Sequence, residues 1–337
     1  MLNARKPGTE QAPPRRAAFY SLSDERYFLG AVGLINSLRL LGHGEPIFLL
    51  DCGLASGQRE LLAPHVTLVQ APRDAPPWLL KTVAPLTHPT EVMVLLDADM
   101  IVTRSLKPLI ATASQGHLVA FENPIDRFVP EWGELLGLGT ARRQAYVGSG
   151  AVCVERQLGT EVLSLLADRQ ALIDFDRTFW RRNLPDYPFL YGDQDVLNAI
   201  LSIRVEADRI AVLDARLAPT PPFPGLGLVD ERSLRCAYED GAQPYLVHHH
   251  GVKPWLDPTH HGVYSRLLRR LLLGADAAVR VPERLLPLRM RRGLLAHAER
   301  TRVNAREMFR WHVREPLASR IGPGVGALGE RSRRGER

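Results

Sequence analysis

Four short apolar runs, separated by three helical patterns, constrain this chain more than any other feature. The runs are AAFYSL, PIFLLD, HVTLVQ and EVMVLLD, with helical periodicity over roughly 25–41, 57–63 and 78–86 between them. Parallel neighbours need a crossover, and a helix is the usual one, so the rhythm predicts an α/β fold: a mostly parallel sheet with helices on both faces. A second group, HLVAFE, GAVCVE and YLVHHH, with helices at about 158–171 and 194–202, adds further strands. The 337 residues suffice for one such domain with an extension. Residues 1–16 read as a disordered lead-in of Pro, Gly and charge, 17–260 as the α/β domain, 261–320 as a basic helical extension and 321–337 as a disordered tail.

The fourth run places two acids at its end. Val92 to Leu96 form a buried strand that delivers Asp97 and Asp99 at its C-terminal end, where open α/β sheets bind ligands. Paired carboxylates there are hard oxygen ligands suited to Mg²⁺ or Mn²⁺, and a divalent ion bridging to phosphate neutralises both partners. The ordinary structural alternative is a pair of acids in a turn. A phosphohydrolase of the haloacid dehalogenase type also carries such a pair, but it requires a later GDxxxD, and here Gly192 and Asp193 are followed at the last position by Leu197.

In the company of four further blocks the pair resembles glycosyltransferase family 8, over roughly residues 17–256. That resemblance implies a GT-A fold and transfer of a hexose from a UDP-sugar, with retention of configuration and a bound Mn²⁺ or Mg²⁺. In AFYSLSDERYFLGAVGLINSL it assigns Leu22, Ser23, Asp24 and Tyr27 to the nucleotide's base and ribose. Lys81, sixteen residues before Asp97 on the 78–86 helix, would lie near the nucleotide sugar, as would Ala98 between the two acids. YVGSGAVCV would bring Ser149 and Gly150 to the sugar, with Gly148 where the family usually has Asn. In YGDQDVLN, Asp193 and Gln194 would open a helix beside the anomeric carbon. The ordinary reading of the same segment makes Asp193 an N-cap and Asp195 a first-turn acid complementing the helix dipole. In HHHGVKPW, His248 would be the third metal ligand, and Gly251 and Lys253 would meet the diphosphate, Lys253 stabilising the departing nucleotide. This motif is one residue shorter than in glycogenin, so the choice among His248, His249 and His250 stays open; strand alternation sends neighbours to opposite faces.

The acceptor is not encoded in any motif; the Pro- and Gly-rich Pro219 to Leu228 is expected to be a surface loop bordering its site. A noncatalytic nucleotide-sugar-binding protein on a transferase scaffold is the remaining alternative. Charge points to one end of the chain. From Tyr264 onward 18 Arg stand against 7 acids, a net +11 within a whole-chain +6, leaving −5 for the preceding residues. Stripes such as SRLLRRLLLG and RLLPLRMRRGLLAHA suggest helices lying on an anionic membrane surface. Nucleic acid is not expected, because aromatics are not interleaved with the arginines and no binding motif is present. Three dispersed cysteines and no apolar leader or membrane-spanning run give the expectation of a cytoplasmic protein, at most peripheral to the membrane.

Overall fold

A computed structural model describes residues 17–72, 75–251, 253–256 and 262–309. The expected lead-in, the continuation of the basic helices towards residue 317 and the tail lie outside the described residues. The strands are β1 (Ala17–Ser23), β2 (Ile47–Asp51), β3 (Thr67–Gln70), β4 (Val92–Leu96), β5 (Met100–Val102), β6 (Leu118–Glu122), β7 (Val147–Glu155), β8 (Ile210–Leu213), β9 (Gly227–Asp230), β10 (Arg235–Ala237) and β11 (Leu246–His248). The helices are α1 (Phe28–Leu40), α2 (Ser56–Leu62), α3 (Val83–Thr87), α4 (Lys107–Ala113), α5 (Trp132–Leu135), α6 (Arg156–Gln170), α7 (Asp193–Arg204), α8 (Val263–Leu273) and α9 (Leu294–Phe309).

Seven strands form the main sheet in the order β3-β2-β1-β4-β7-β6-β8. Every neighbouring pair is parallel except those made by β7, which runs antiparallel to β4 and to β6. The mostly parallel α/β expectation therefore holds, and the exception matters for the site. Because β7 runs backwards, its N-terminal end, not its C-terminal end, reaches the edge where β4 delivers its acids. The order also reverses between β1 and β4, opening a crevice at their C-terminal ends.

β1, β2 and β4 are mostly apolar and nearly all buried, as strands covered on both faces must be, with Ser21, Ser23 and Asp51 the polar exceptions. One core includes α1 and α8, the other α6 and α7. α8 buries Tyr264, Leu267, Leu268, Leu271 and Leu272. The amide of Asn36 in α1 donates to the carbonyls of Leu271 and Val279 at 3.0 Å each and accepts from the Val279 N–H at 2.7 Å. The apolar stripe that the sequence offers to a membrane is thus, in α8, consumed by α1 and β5. The second stripe runs through two short 3₁₀ turns, with Leu286 and Met290 buried, and into the start of α9. Among the described residues no helix is long and apolar enough to cross a membrane.

Three further expectations change. The helix over 78–86 is instead a 3₁₀ turn, Pro77–Leu79, and the short α3. Pro85 lacks the N–H that would reach the Lys81 carbonyl in a continuous helix; as third residue of α3 it needs no such partner. YLVHHH does not join the main sheet: β11 pairs antiparallel with β5 just beyond the aspartates. Pro219 to Leu228 is irregular only as far as Leu226, and buried Phe223 and Leu226 pin it to the core. The cysteines are free, with Cys153 and Cys236 buried and Cys52 half-buried; burial pushes the Cys153 thiol well up.

Candidate functional site

Asp97 directly follows β4, its N–H donates to the Gly150 carbonyl at 2.9 Å, and the chain turns at once into β5. β11 pairs with β5 so that His248 stands opposite Met100, and the His249 N–H donates to the Asp99 carbonyl at 3.2 Å. Three remote segments, β4, the start of β7 and the end of β11, are thereby held together by backbone bonds before any side chain acts.

Ligating atoms of Asp97, Asp99 and His248 lie within 4.8 Å of one another. His248 Nε2 is 3.1 Å from Asp99 Oδ1 and 3.7 Å from Asp97 Oδ2. Strand alternation separates the three histidines. The His249 ring turns the other way, against Tyr264 at 4.9 Å and Phe223 at 6.3 Å. His250 Nε2 sits 2.8 Å from His248 Nδ1. If His248 presents a lone pair on Nε2, its Nδ1–H donates to His250, the outer contact that orients a ligating imidazole. Burial and the neighbouring His248 push the His250 ring down to about 3, so it stays neutral and able to accept.

Lysines flank the acids. Lys81 Nζ pairs with Asp97 Oδ1 at 2.9 Å and Asp193 Oδ2 at 3.2 Å, and donates to the Ser149 carbonyl at 3.1 Å. Burial alone would lower this ammonium, but Asp193 and Asp97 outweigh it and hold it well above its ordinary value. Lys253, 4% exposed, donates to Asp99 Oδ2 and, at 2.6 Å, to the His249 carbonyl. Burial alone would raise Asp99, yet His248 and Lys253 together hold it well below the usual carboxylate range. Asp97 goes the other way: burial raises it, and Lys81 and His248 do not fully offset that.

Three carboxylates face two ammonium groups here, a local charge of −1 with neutral His248. A divalent cation would turn that into +1, the sign a diphosphate requires. The backbone leaves room for one. A Cβ on Gly150 would fall 2.7 Å from Asp97 Oδ2 and 2.8 Å from His248 Cε1, so any side chain would fill the cradle between the ligands. The oxygen and imidazole donor set and this cradle fit Mn²⁺ or Mg²⁺.

The other sequence-derived positions are placed as follows. Asp24 caps the turn into α1 by accepting from the Tyr27 N–H at 2.9 Å. Tyr27 lies beneath Lys253 Nζ, 5.4 Å from the ring centre, and burial with Asp99 pushes its hydroxyl up to about 12. Ser23 is buried at the end of β1, whereas Leu22 packs against the second core and is not among the groups meeting the acids. Ala98 presents its carbonyl to α1, where a Cβ on Gly30 would come within 2.6 Å of it. Gly251 adopts φ +74°, the left-handed turn that separates the histidines from Lys253. The Ser149 N–H donates to Gln194 Oε1 at 3.4 Å. Gly148, unlike Gly150, has room: a Cβ there would meet nothing closer than 3.9 Å. The N-cap of α7 is Gly192, not Asp193, which leaves Asp193 free to face Lys81.

Two residues of the quoted motifs support the site without entering it. Trp255 donates to the Arg26 carbonyl at 2.7 Å and meets the Tyr27 ring edge-on at 6.3 Å, clamping the last turn of the site onto the start of α1. Its sole signal was its place in HHHGVKPW, together with Gly30, whose absent side chain makes room for it. Asp195 takes Arg127 Nε at 2.9 Å, Tyr146 OH at 2.7 Å and the Tyr191 N–H at 2.8 Å. Fully buried, it anchors α7 instead of entering the cleft.

No protein-family model and no curated protein matches the chain. Among solved structures it is similar to an active-site mutant of LgtC at 16% identity and TM-score 0.50, covering 79% of this chain and 98% of that one. It is similar, at 15% identity and TM-score 0.50 with the same coverage, to the galactosyltransferase LgtC in complex with donor and acceptor sugar analogs. What is shared at this identity is the architecture: the chain has the mostly parallel α/β sheet of the GT-A glycosyltransferase structures.

Proposed function

We propose that this chain is a metal-dependent glycosyltransferase of the family 8 kind, moving a hexose from a UDP-sugar to an acceptor hydroxyl with retention of configuration. The observation that carries the reading is the convergence of Asp97, Asp99 and His248 within 4.8 Å at the C-terminal edge of the sheet, with a lysine on either side. That LgtC was solved with donor and acceptor sugar analogs supports a sugar donor and acceptor here.

In this reading Asp97, Asp99 and His248 would hold Mn²⁺ or Mg²⁺, which would supply Lewis-acid charge for the diphosphate. Leu22, Ser23, Asp24 and Tyr27 line the nucleotide end, with Ala98 and Gly251 contributing backbone. Ser149, Gly150, Asp193 and Gln194 line the sugar end. Lys253 and Lys81 are compact point charges that stabilise negative charge as the nucleotide leaves. Asp193 and Gln194 flank the anomeric position; Lys81 pairs with Asp193 and so fixes its place, and Gln194 is steadied by the Ser149 N–H. With a leaving group activated in this way, a strong protein nucleophile is not required.

A phosphohydrolase reading needs an acid where Leu197 stands, and that side chain is buried in the core. Three free thiols support a cytoplasmic location. What supports a membrane periphery is reduced to Leu285, Leu288, Leu294 and Leu295, exposed among arginines, and co-sedimentation with anionic vesicles tests it. The decisive experiment is release of UDP from UDP-hexoses. It is expected to require Mn²⁺ or Mg²⁺, to stop with chelator and to vanish in Asp99→Ala. Metal-independent release, or phosphate release from phosphomonoesters instead, overturns the reading.

A further inference from the structure

Among the described residues the strongly exposed aromatic side chains are gathered in one place. Trp78 is 38% exposed, Phe179 46% and Trp180 50%. Trp78 stacks on Phe175 with ring centres 4.2 Å apart and planes 7° from parallel, and Trp180 meets Phe179 edge-on at 5.2 Å. The Arg181 guanidinium lies over the first pair, 5.8 Å from the Trp78 ring and 6.0 Å from that of Phe175, and Arg181 directly follows Trp180 of the second pair in the chain. Arg181 and Arg182 are both exposed.

The segment is built to present these groups. Thr178 is buried and its hydroxyl donates to the Phe175 carbonyl at 2.7 Å, while the Phe179 N–H donates to the Leu190 carbonyl at 2.8 Å. Asn183 takes a left-handed φ of 51° and returns its N–H to the Thr178 carbonyl at 2.9 Å. A loop tied down at so many points holds its aromatic faces in water, and exposed apolar surface of this kind marks a binding site.

Its position names the ligand. Trp78 stands three residues before Lys81, and the Phe179 ring lies 5.9 Å from that of Tyr191, two residues before Asp193. The two segments that bring Lys81 and Asp193 to the cleft therefore also build its aromatic rim. We propose that this rim is the acceptor subsite and takes the pyranose rings of an oligosaccharide acceptor, an inference that rests on the transferase reading above. A pyranose has an apolar face of C–H groups and a rim of hydroxyls. Flat exposed rings beside exposed guanidinium forks match both, whereas a lipid surface or a protein partner would be served by a broader apolar face.

The test is direct binding of the full chain to an array of neutral and acidic oligosaccharides, followed by titration of the strongest ligand with tryptophan fluorescence. Binding is expected to weaken about tenfold in Trp180→Ala and in Arg181→Ala, and to be largely kept in Trp180→Tyr, which retains a ring. Melting temperatures close to the parent's would show that these exposed changes leave the fold intact. The proposal is overturned if no oligosaccharide binds, if binding ignores both substitutions, or if the rim binds phosphatidylglycerol vesicles instead. UDP release by the unsubstituted chain without acceptor reads the donor chemistry separately, so either claim can fail alone.

Discussion

Two stretches of this chain are spelled almost alike, Asp-Ala-Asp at 97–99 and Asp-Gln-Asp at 193–195, and they do opposite things. In the first, both acids turn into the cleft, where each meets a lysine and His248. In the second, Asp193 reaches Lys81 while Asp195 points into the protein and is saturated by Arg127, Tyr146 and the Tyr191 N–H. The backbone makes the difference. Residues two apart on a helix project to nearly opposite sides, so the first turn of α7 cannot aim both carboxylates at one point. The turn between β4 and β5 can. Here two acids converge on one point because a turn, not a helix, carries them.

The strongest way to break this comparison is at Asp99. Asp99→Asn is expected to lower kcat/KM for metal-dependent UDP release by about a thousandfold, roughly 4 kcal/mol of transition-state stabilisation. Because Lys253 is then buried without its counter-charge, the melting temperature should fall as well. Retained activity would show that the aspartates merely shape a turn. Asp195→Asn should show the reverse balance. It places an amide N–H₂ against the Tyr191 N–H and leaves Arg127 without its charge partner, for a loss of about 3 kcal/mol in urea unfolding. The molecules that remain folded are expected to keep their activity. A large drop in kcat at unchanged stability would move Asp195 into the cleft.

Between these lies Asp193→Asn. The amide can still meet Lys81 through its oxygen but carries no charge, so the fold should survive while kcat falls roughly 30-fold, about 2 kcal/mol. A change confined to KM for the donor would make Asp193 a binding group alone.

What the sequence made legible follows the same logic of backbone and side chain. The runs from Ala17 to Leu96 disclosed the parallel half of the sheet, because apolar strands alternating with helices admit few other arrangements. They could not disclose that β7 runs antiparallel, since an apolar strand reads the same in either direction, and that reversal is what brings Ser149 and Gly150 to the acids. Asp97, Asp99 and His248 were legible through the motifs around them. The division of labour among the three histidines emerged only with the β5–β11 pairing, which fixes which ring faces inward. Lys81 stood out for its spacing, but the helix expected to carry it is broken between Leu79 and Val83, and Lys81 sits in that break. Trp255 and the aromatic rim were invisible as chemistry, because an aromatic residue in a sequence is core until its exposure is known.

A neighbouring strand end offers the mildest test. Asp51 closes β2 as Asp97 closes β4, yet it is buried at 4% exposure, accepts from the N–H groups of Gly53 and Leu54 at 2.9 and 2.8 Å, and pairs with Arg59. Burial would raise its carboxyl, but Arg59 and the two backbone donors outweigh burial and hold it below its ordinary 3.8. The native state therefore binds this proton less readily than the unfolded chain. The stability it contributes is complete above the unfolded value and is lost as pH falls through the lower folded one. In Asp51→Asn the slope of unfolding free energy against pH below about 3.8 should be shallower by at most about 1.4 kcal/mol per pH unit, one carboxylate's share. Metal-dependent UDP release at neutral pH should stay near the parent's, because the turn that Asp51 caps faces Arg59 and not the cluster of Asp97, Asp99 and His248. A parallel loss of metal dependence would mean that the crevice between β1 and β4 extends to β2, and that three strand ends, not two, build the donor site.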